Sequence, residues 1–387
     1  MYSMLQIVYF SIYKIIQTCK SPFYWIIIGI IFYQYSKIGK WERIVLGKYK
    51  RSLFYNVLTS IAMGFLGGII GSIIFIYLGT IINLTDFYSI LILAILLSLI
   101  HPRYMCFSYG GGIISLISLK FGYPNINVSE IMVVIGVLHL IESILIWLDG
   151  TRGRLPIFID RQEGIVGGFT MNRFWPIPFT IFINKGHIYP VTIMAILGYG
   201  DLALANYPEK KSKQTAGLLF LFSIILIFLA QISTKYYIYK YIVAIFAPLA
   251  HELIITLGKK IEEKGNCIFK PSDRGVKVLD TLPNSIGKEM GFNPGDTILS
   301  INGYKIYYKD DVSKILSLKP SSLRMKVFHK GKGLIIKEYK GYIDNIEDLG
   351  LILVPSISEY AFQLAEPKGA IDRLVKKLGR NKVRFKN

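Results

Sequence analysis

Charged residues are scarce in this sequence, and acidic ones are the scarcer kind. Only 18% of the 387 residues are charged, whereas a soluble domain usually carries about a quarter. Hydrophobic residues make up 52% of the chain, and its mean hydropathy is +0.44. This balance excludes an ordinary soluble protein and places much of the chain in lipid.

Cysteine is nearly absent. Cys19, Cys106 and Cys267 stand far apart, and no CxxC pair occurs. A disulfide framework needs an even set of cysteines, and a cysteine zinc site needs pairs at short spacing. The sequence therefore predicts neither.

Acidic residues are outnumbered, since 25 Asp and Glu face 45 Lys and Arg, for a net charge of +20. Such an excess is typical of nucleic-acid binding or of contact with an anionic membrane face. The hydropathy favours the membrane, because basic loops of membrane proteins contact acidic headgroups. We expect membrane lipids, including anionic headgroups, as partners, and no nucleic acid.

The sequence does contain long apolar runs. A helix needs about twenty apolar residues to cross a bilayer, because unpaired backbone groups are costly in hydrocarbon. About six to eight segments are predicted, some of them re-entrant, which makes the chain a multi-pass protein of the cell membrane. The clearest cover residues 57–84, 88–100, 131–148, 216–232 and 237–257, and the weaker ones cover 22–35, 110–119 and 187–205.

A stripe of glycines lies within the apolar run at residues 57–84. Gly64, Gly67, Gly68 and Gly71 recur at three- and four-residue spacings. Small residues at this spacing let another helix approach closely. The stripe predicts a packing contact between two helices.

Basic residues between the apolar segments predict the orientation. They cluster in residues 37–51, 151–186 and 210–213, and such loops remain in the cytoplasm. All three can lie there only if segment 187–205, which contains Pro190 and Asp201, does not cross fully. The part that follows the last helix then lies in the cytoplasm.

The composition changes near residue 258, so residues 1–258 are predicted to form the membrane domain. Residues 259–355 alternate short strands, helices and turns, among them the Asn302-Gly303 pair that favours a hairpin. Residues 356–387 form a basic tail with Ile371, Leu374 and Leu378 on one helical face. This pattern fits an amphipathic helix on an anionic leaflet or a solvated end.

The stretch RGVKVLDTLPNSIGKEMGFNPGDTILSINGYKI resembles the centre of a bacterial PDZ domain. The fold class is then a multi-pass α-helical membrane domain followed by a small α+β PDZ-like domain. The resemblance implies that a peptide, often a C-terminus, adds as a strand to a sheet edge beside the second helix. It assigns to the groove the residues Cys267, Ile268, Phe269, Val312, Ile315 and Leu316, each of which is alternatively a core residue.

The loop that would hold the peptide carboxylate has two candidates. Gly265 and Asn266 precede the first strand, whereas Leu349, Gly350 and Leu351 are similar to the family's GLGF loop but stand near the end of the module. Both alternatives remain open at the level of the sequence.

Several stretches upstream, namely HPRYMCFSYGGG, LHLIESILIW, VGGFTMNRFWP and YGDLALA, resemble the membrane region of MinJ-type division-site proteins of Gram-positive bacteria. That resemblance implies a membrane-anchored scaffold or adaptor that binds protein partners and helps to place the division site or organise a septum or pole. A homo-oligomer is compatible with it. No catalytic residue is transferred by the resemblance.

The main alternative is an intramembrane zinc protease of the site-2 type, which also joins membrane helices to PDZ domains. Such a site needs two histidines one helical turn apart and a glutamate as base. Here His251 and Glu252 are followed by Ile255 where the second histidine belongs, and Leu148-Asp149-Gly150 precedes them instead of following. A shared site of His139, Glu142, Asp149, His251 and Glu252 is the weaker form of this hypothesis.

A transporter-like protein is a third class, since Asp201 lies in a segment interrupted by glycine, but no inverted repeat supports it. No nucleophile of the GxSxG type appears. We therefore predict a protein that is not an enzyme, with no catalytic residue, no cofactor and no metal site.

Overall fold

The computed structural model describes residues 4–47, 50–161, 164–184, 187–329, 331–341 and 346–355. The predicted basic tail, residues 356–387, lies outside these residues. The helices are α1 (Met4–Thr18), α2 (Pro22–Leu46), α3 (Leu53–Leu78), α4 (Leu84–Ile100), α5 (Phe107–Phe121), α6 (Val128–Asp149), α7 (Pro208–Ser233), α8 (Ile238–Lys264), α9 (Ile286–Glu289), α10 (Lys309–Ser317) and α11 (Ile346–Leu349), with a 3-10 turn at Pro102–Met105. The strands are β1 (Ile81–Ile82), β2 (Arg154–Arg161), β3 (Gly164–Asn184), β4 (Ile188–Ala203), β5 (Val276–Thr281), β6 (Thr297–Ile301), β7 (Tyr304–Lys305), β8 (Ser322–His329), β9 (Gly333–Lys340) and β10 (Leu351–Leu353).

Four described helices, α3, α6, α7 and α8, are long and apolar enough to cross a membrane. The pair α1 and α2, bent by 74° at its break, raises the number to five if it forms one span. A multi-pass membrane protein is therefore plausible from these helices, with fewer spans than the six to eight expected. Helix α4, with 17 residues, is shorter than the spans.

The sequence predicted a re-entrant membrane element at residues 187–205, and this prediction of its secondary structure was wrong. This segment is strand β4, which pairs antiparallel with β3 from Asn184 and Ile188 to Phe169 and Ala203. Residues 151–186, expected to be a loop, contain β2 and β3 of the same sheet. The physical reason is that paired strands satisfy their backbone groups as fully as a helix does, so an apolar run does not by itself specify a helix.

Helix α6 and strand β3 form the centre of the first unit, residues 4–264. Nearly every α6 residue is buried, and the side chains Trp175, Ile177, Phe179 and Ile181 of β3 are inaccessible to solvent. Helix α3 packs along β3, and α7 packs along α6. The bundle therefore surrounds a strand as well as a helix.

The glycine stripe of α3 contacts both central elements. An added Cβ at Gly64 or Gly68 would lie 1.9 or 2.0 Å from a backbone carbonyl oxygen, that of Pro176 or Pro178 in β3. At Gly67 and Gly71 it would meet the side chain of Ile141 in α6. The predicted helix-helix contact is thus confirmed on one side of the stripe, and a strand occupies the other side.

A buried ion pair joins α6 to β3. The carboxylate of Asp149 accepts hydrogen bonds from Arg173 Nε at 2.6 Å and Trp175 Nε1 at 2.9 Å. Neither side chain of the Asp149–Arg173 pair is accessible to solvent. Burial of either charge alone would be costly, so the pair fixes how the strand lies on the helix.

Residues 266–355 form an α+β module whose sheet has the order β10-β5-β6-β8-β9, with β7 paired to β6. The alternation of short strands, helices and turns expected there is present, as at strand Thr297–Ile301. Ser285 accepts a hydrogen bond from Lys288 N at the start of α9, and Asn302 and Gly303 turn with φ of 49° and 89°. The described elements thus comprise membrane-type helices followed by a smaller α+β region.

The module packs directly against the first unit. Lys50 donates to the Asp280 carboxylate at 2.5 Å, and Arg154 lies 3.6 Å from the same carboxylate. Burial lowers the pKa of Lys50, and the Asp280 charge opposes that shift. Within the first unit, Glu262 near the end of α8 accepts backbone hydrogen bonds from Leu204 and Ala205, close to where the chain enters the module. These contacts hold β5 and the exit of α8 in place.

Candidate functional site

Three potential metal ligands meet between helices of the first unit. Cys106 directly precedes α5, His139 lies in α6 and His251 lies near the middle of α8. Their ligand atoms all lie within 4.8 Å of one another. Cys106 Sγ is 3.1 Å from His139 Nε2 and 3.6 Å from His251 Nε2.

The glycines that follow Cys106 allow this convergence. An added Cβ at Gly110 would lie 3.2 Å from Ile90 O of α4, and one at Gly111 would lie 2.3 Å from the Ile135 side chain of α6. At Gly112 it would lie 2.7 Å from the Ala244 carbonyl oxygen of α8. Because glycine has no Cβ, α5 can approach α4, α6 and α8 together.

The imidazole of His139 is held in one orientation. Its Nδ1 lies 2.7 Å from the backbone carbonyl oxygen of Ile135, so that nitrogen carries a proton and donates it. In a neutral ring, Nε2 is then an acceptor. Nε2 faces Cys106 Sγ and lies 3.2 Å from Ser108 Oγ.

A chain of polar groups supports His251. Its Nδ1 lies 3.4 Å from the hydroxyl of Tyr109, and that hydroxyl donates to Glu252 Oε2 at 2.5 Å. Arg103 Nη1 donates to Glu252 Oε1 at 2.8 Å. Since the Tyr109 proton goes to Glu252, the Tyr109 oxygen accepts from His251, and Nε2 of His251 also faces Cys106 as an acceptor.

Of the five ionisable residues considered together from the sequence, the structure brings His139 and His251 to the Cys106 thiol. Glu252 is linked to them through Tyr109, whose hydroxyl contacts His251. Asp149 is not among them, because it pairs with Arg173 and Trp175. Glu252 lies within α8 and pairs with Arg103.

Cys106 and Tyr109 were missed as members of this cluster. A lone cysteine before an apolar helix carries no spacing signal, and Tyr109 lies 142 residues from its partner His251. The one available signal was the Gly110-Gly111-Gly112 run, which indicates close packing around the preceding turn.

The edge of the α+β module is a second candidate site. Strand β10 ends the sheet, and among the described residues no strand pairs with its other edge. The segment Leu349, Gly350 and Leu351 leads into β10, and α11 before it contacts α10. Gly350 has a φ of 65°, and an added Cβ would lie 2.3 Å from Ser285 Cβ, so this turn requires glycine.

The predicted groove residues separate into two groups. Val312 and Leu316 of α10 are fully buried in the core of the module, and Ile315 is half-buried against that core. Cys267, Ile268 and Phe269 pack instead with the first unit, where Phe269 O accepts a hydrogen bond from Gly167 N of β3 and Ile268 N donates to Leu204 O.

The expectation that Cys267, Ile268 and Phe269 form the groove floor thus disagrees with their positions, because pairing with the first unit stabilises their backbone. The alternative carboxylate loop, Gly265 and Asn266, directly follows α8, where an added Cβ at Gly265 would lie 2.5 Å from Ala205 Cβ. Of the two candidate carboxylate loops, the segment at Leu349 is the one that leads into a strand with an edge that no described strand pairs with.

No protein-family model matches the chain. A stretch of 58 residues is 46% identical to a Campylobacter jejuni protein that bears the provisional name of a zinc metalloprotease. The stretch covers 15% of this chain and 15% of that protein. The chain therefore matches only a small part of that relative's length, and the similarity is one between parts of two proteins.

Proposed function

We propose that this chain is a membrane-anchored scaffold that binds the C-termini of protein partners through its α+β module, a PDZ-like domain on the cytoplasmic side. The observation that supports the proposal is that no described strand pairs with the outer edge of β10, which follows the glycine turn at Gly350 and the contact of α11 with α10. A peptide added there as a strand gains backbone hydrogen bonds, and its last side chain contacts α10.

The resemblance of the membrane region to MinJ-type proteins supports the cellular role. We propose that the scaffold acts in division-site placement or in the organisation of a septum or pole. A fluorescent fusion enriched at septa or poles is the expected result, and an even distribution around the membrane contradicts this part of the proposal.

Peptide recognition is tested on the full chain in nanodiscs with a library of peptides that vary at their last residues. We expect selected peptides to bind at least about tenfold more weakly when the terminal carboxylate is replaced by a carboxamide, because loop N–H groups then lose a charged acceptor. Equal binding of the acid and the amide contradicts the proposed carboxylate loop.

A matched pair of variants locates the groove. Ile315→Asp places a charge on the half-buried face of α10, whereas Leu318→Asp places it at a position that is 75% exposed. We expect Ile315→Asp alone to abolish peptide binding. Unchanged binding by that variant contradicts a groove beside α10.

The second candidate is a metal-dependent membrane protease. It is supported by the 58-residue similarity and by the His251-Glu252 pair, whose histidine ring lies 5.1 Å, centroid to centroid, from that of His139 in another helix. Comparison of protein N-termini in membranes from cells with the natural chain and with His139→Gln tests it. Identical sets of N-termini contradict proteolysis and leave the scaffold as the function.

A further inference from the structure

We propose that Cys106, His139 and His251 bind a zinc ion between α5, α6 and α8. The proposal is independent of peptide recognition, because it concerns the core of the first unit and not the module. It also replaces the expectation from the sequence that the chain has no metal site.

The distances fit a tetrahedral zinc ion. Zinc lies about 2.3 Å from a thiolate and about 2.0 Å from an imidazole nitrogen, so the two ligand atoms are about 3.6 Å apart. Cys106 Sγ is 3.6 Å from Nε2 of His251 and 3.1 Å from Nε2 of His139. The Cys106–His251 distance therefore matches that between two ligands of one zinc ion, and the Cys106–His139 distance is about half an ångström shorter.

The protons of the cluster favour a cation. When both rings are neutral, both Nε2 atoms are acceptors, because each ring uses Nδ1 as its donor, to Ile135 O or to Tyr109. A thiol has one proton and can satisfy only one of these nitrogens. Ser108 can donate to His139, but the shortest contact, from Cys106 Sγ to His139, then has no proton between its atoms.

The groups around the cluster match those of zinc ligands. A ligand histidine usually donates its second N–H to a backbone carbonyl or to a polar chain that ends in a carboxylate. His139 does the first, and His251 does the second through Tyr109 and Glu252. These partners fix both rings with Nε2 directed at a common point.

The types of ligand indicate which metal the site would bind. Thiolate and imidazole together favour zinc over magnesium or calcium, and three protein ligands leave a fourth position for water.

Metal content of the full chain tests the proposal directly. The protein is purified with a tag that contains no histidine, exposed to zinc, dialysed and analysed by mass spectrometry of the elements. We expect about one zinc per natural chain and at least a tenfold lower content for Cys106→Ser and His251→Gln, since each change removes one of three ligands. Cys19→Ser and His187→Gln, which change residues outside the cluster, serve as matched controls and retain the zinc.

Cobalt gives a readout that needs no variant to fold. Loading the natural chain with Co²⁺ should produce a near-ultraviolet thiolate-to-cobalt band and the visible bands of tetrahedral cobalt. Zinc should also protect Cys106 from alkylation, with Cys19 as the internal reference. Absence of the thiolate band, or stoichiometric zinc in Cys106→Ser, overturns the proposal. Peptide binding measured before and after chelation distinguishes this outcome from failure of the module.

Discussion

The first unit and the α+β module expose opposite kinds of residue. The first unit encloses an Asp149–Arg173 pair, His139 and Glu262, while the outer faces of its helices expose large apolar side chains such as Phe228 and Leu249. The module encloses an apolar core with the buried carboxylates of Asp280 and Asp296, and its surface carries exposed ion pairs such as Arg324–Glu338. Lipid accepts apolar surface without cost, so the first unit can be specified by its interior polar contacts.

The largest expected effect on stability distinguishes the buried Asp149–Arg173 pair of the first unit from the exposed Arg324–Glu338 pair of the module. Arg173→Ala should lower the free energy of unfolding by about 3 to 5 kcal/mol, because Asp149 then remains buried without its main partner. Arg324→Ala, which removes one member of an exposed pair, should cost less than about 1 kcal/mol. Denaturant titration in detergent, followed by tryptophan fluorescence, measures both. Similar costs would contradict the comparison.

The next effect concerns the boundary between the two regions. Asp280→Asn removes the carboxylate that pairs with Lys50 and Arg154, at a cost of about 2 to 3 kcal/mol in docking. Hydrogen exchange in β5 should accelerate, while exchange in β8, which does not pair with β5, serves as the internal control. Unchanged exchange in β5 would mean that this charge cluster does not hold the module.

A smaller effect separates close packing from simple helix propensity. Gly68→Ala should destabilise by about 1 to 3 kcal/mol, because its Cβ would lie 2.0 Å from Pro178 O. Gly217→Ala in α7 meets no atom within 4 Å and should stabilise by up to about 1 kcal/mol, since alanine favours a helix. Opposite signs in the same unfolding titration are expected, and equal signs would exclude the α3–β3 contact.

The smallest effect lies at the surface of the module. Asp311 accepts backbone hydrogen bonds from Tyr308 and Tyr307, and these hold the pKa of its carboxyl below the usual value. The carboxylate therefore stabilises the start of α10 above the unfolded pKa of about 3.9, and this contribution is lost as pH falls through the folded pKa. Asp311→Ala should cost about 0.5 to 1 kcal/mol at neutral pH.

Hydrogen exchange in the first turn of α10 checks this last prediction at neutral pH. The variant should exchange faster there than the natural chain, and Asp310→Ala, the neighbouring change, is the control. A variant that exchanges like the natural chain would show that the two backbone hydrogen bonds contribute nothing measurable.

Local patterns predicted the module better than the first unit. Ser285 as a helix cap, the Asn302-Gly303 turn and strand Thr297–Ile301 all follow from short-range preferences that act over a few residues. In the first unit, hydropathy located α6 and α7 but assigned the apolar segment at residues 187–205 to a membrane element instead of strand β4. Apolar character reports burial or lipid contact, and it does not distinguish a buried strand from a short helix.

The candidate metal site shows the same division. From the sequence, Ile255 in place of a second histidine excluded a zinc site within α8, because the local motif needs both ligands on one helix. The tertiary structure brings a histidine from α6 and a cysteine before α5 to His251 instead. A sequence motif detects metal ligands that lie on one helix or strand. It cannot detect ligands that different helices bring together when they pack.

The sequence by itself determined that much of the chain is apolar enough for membrane helices, that an α+β module follows them, and where that module turns. These properties depend on composition and on neighbouring residues. Only the tertiary structure decided that β3 lies inside the helix bundle and that Cys106 meets His139 and His251, which are 33 and 145 residues away. Gly64 and Gly68 let β3 approach α3, and Gly110 to Gly112 let α5 approach its neighbouring helices. The sequence shows where a Cβ is missing, but only the fold decides which neighbour fills that space.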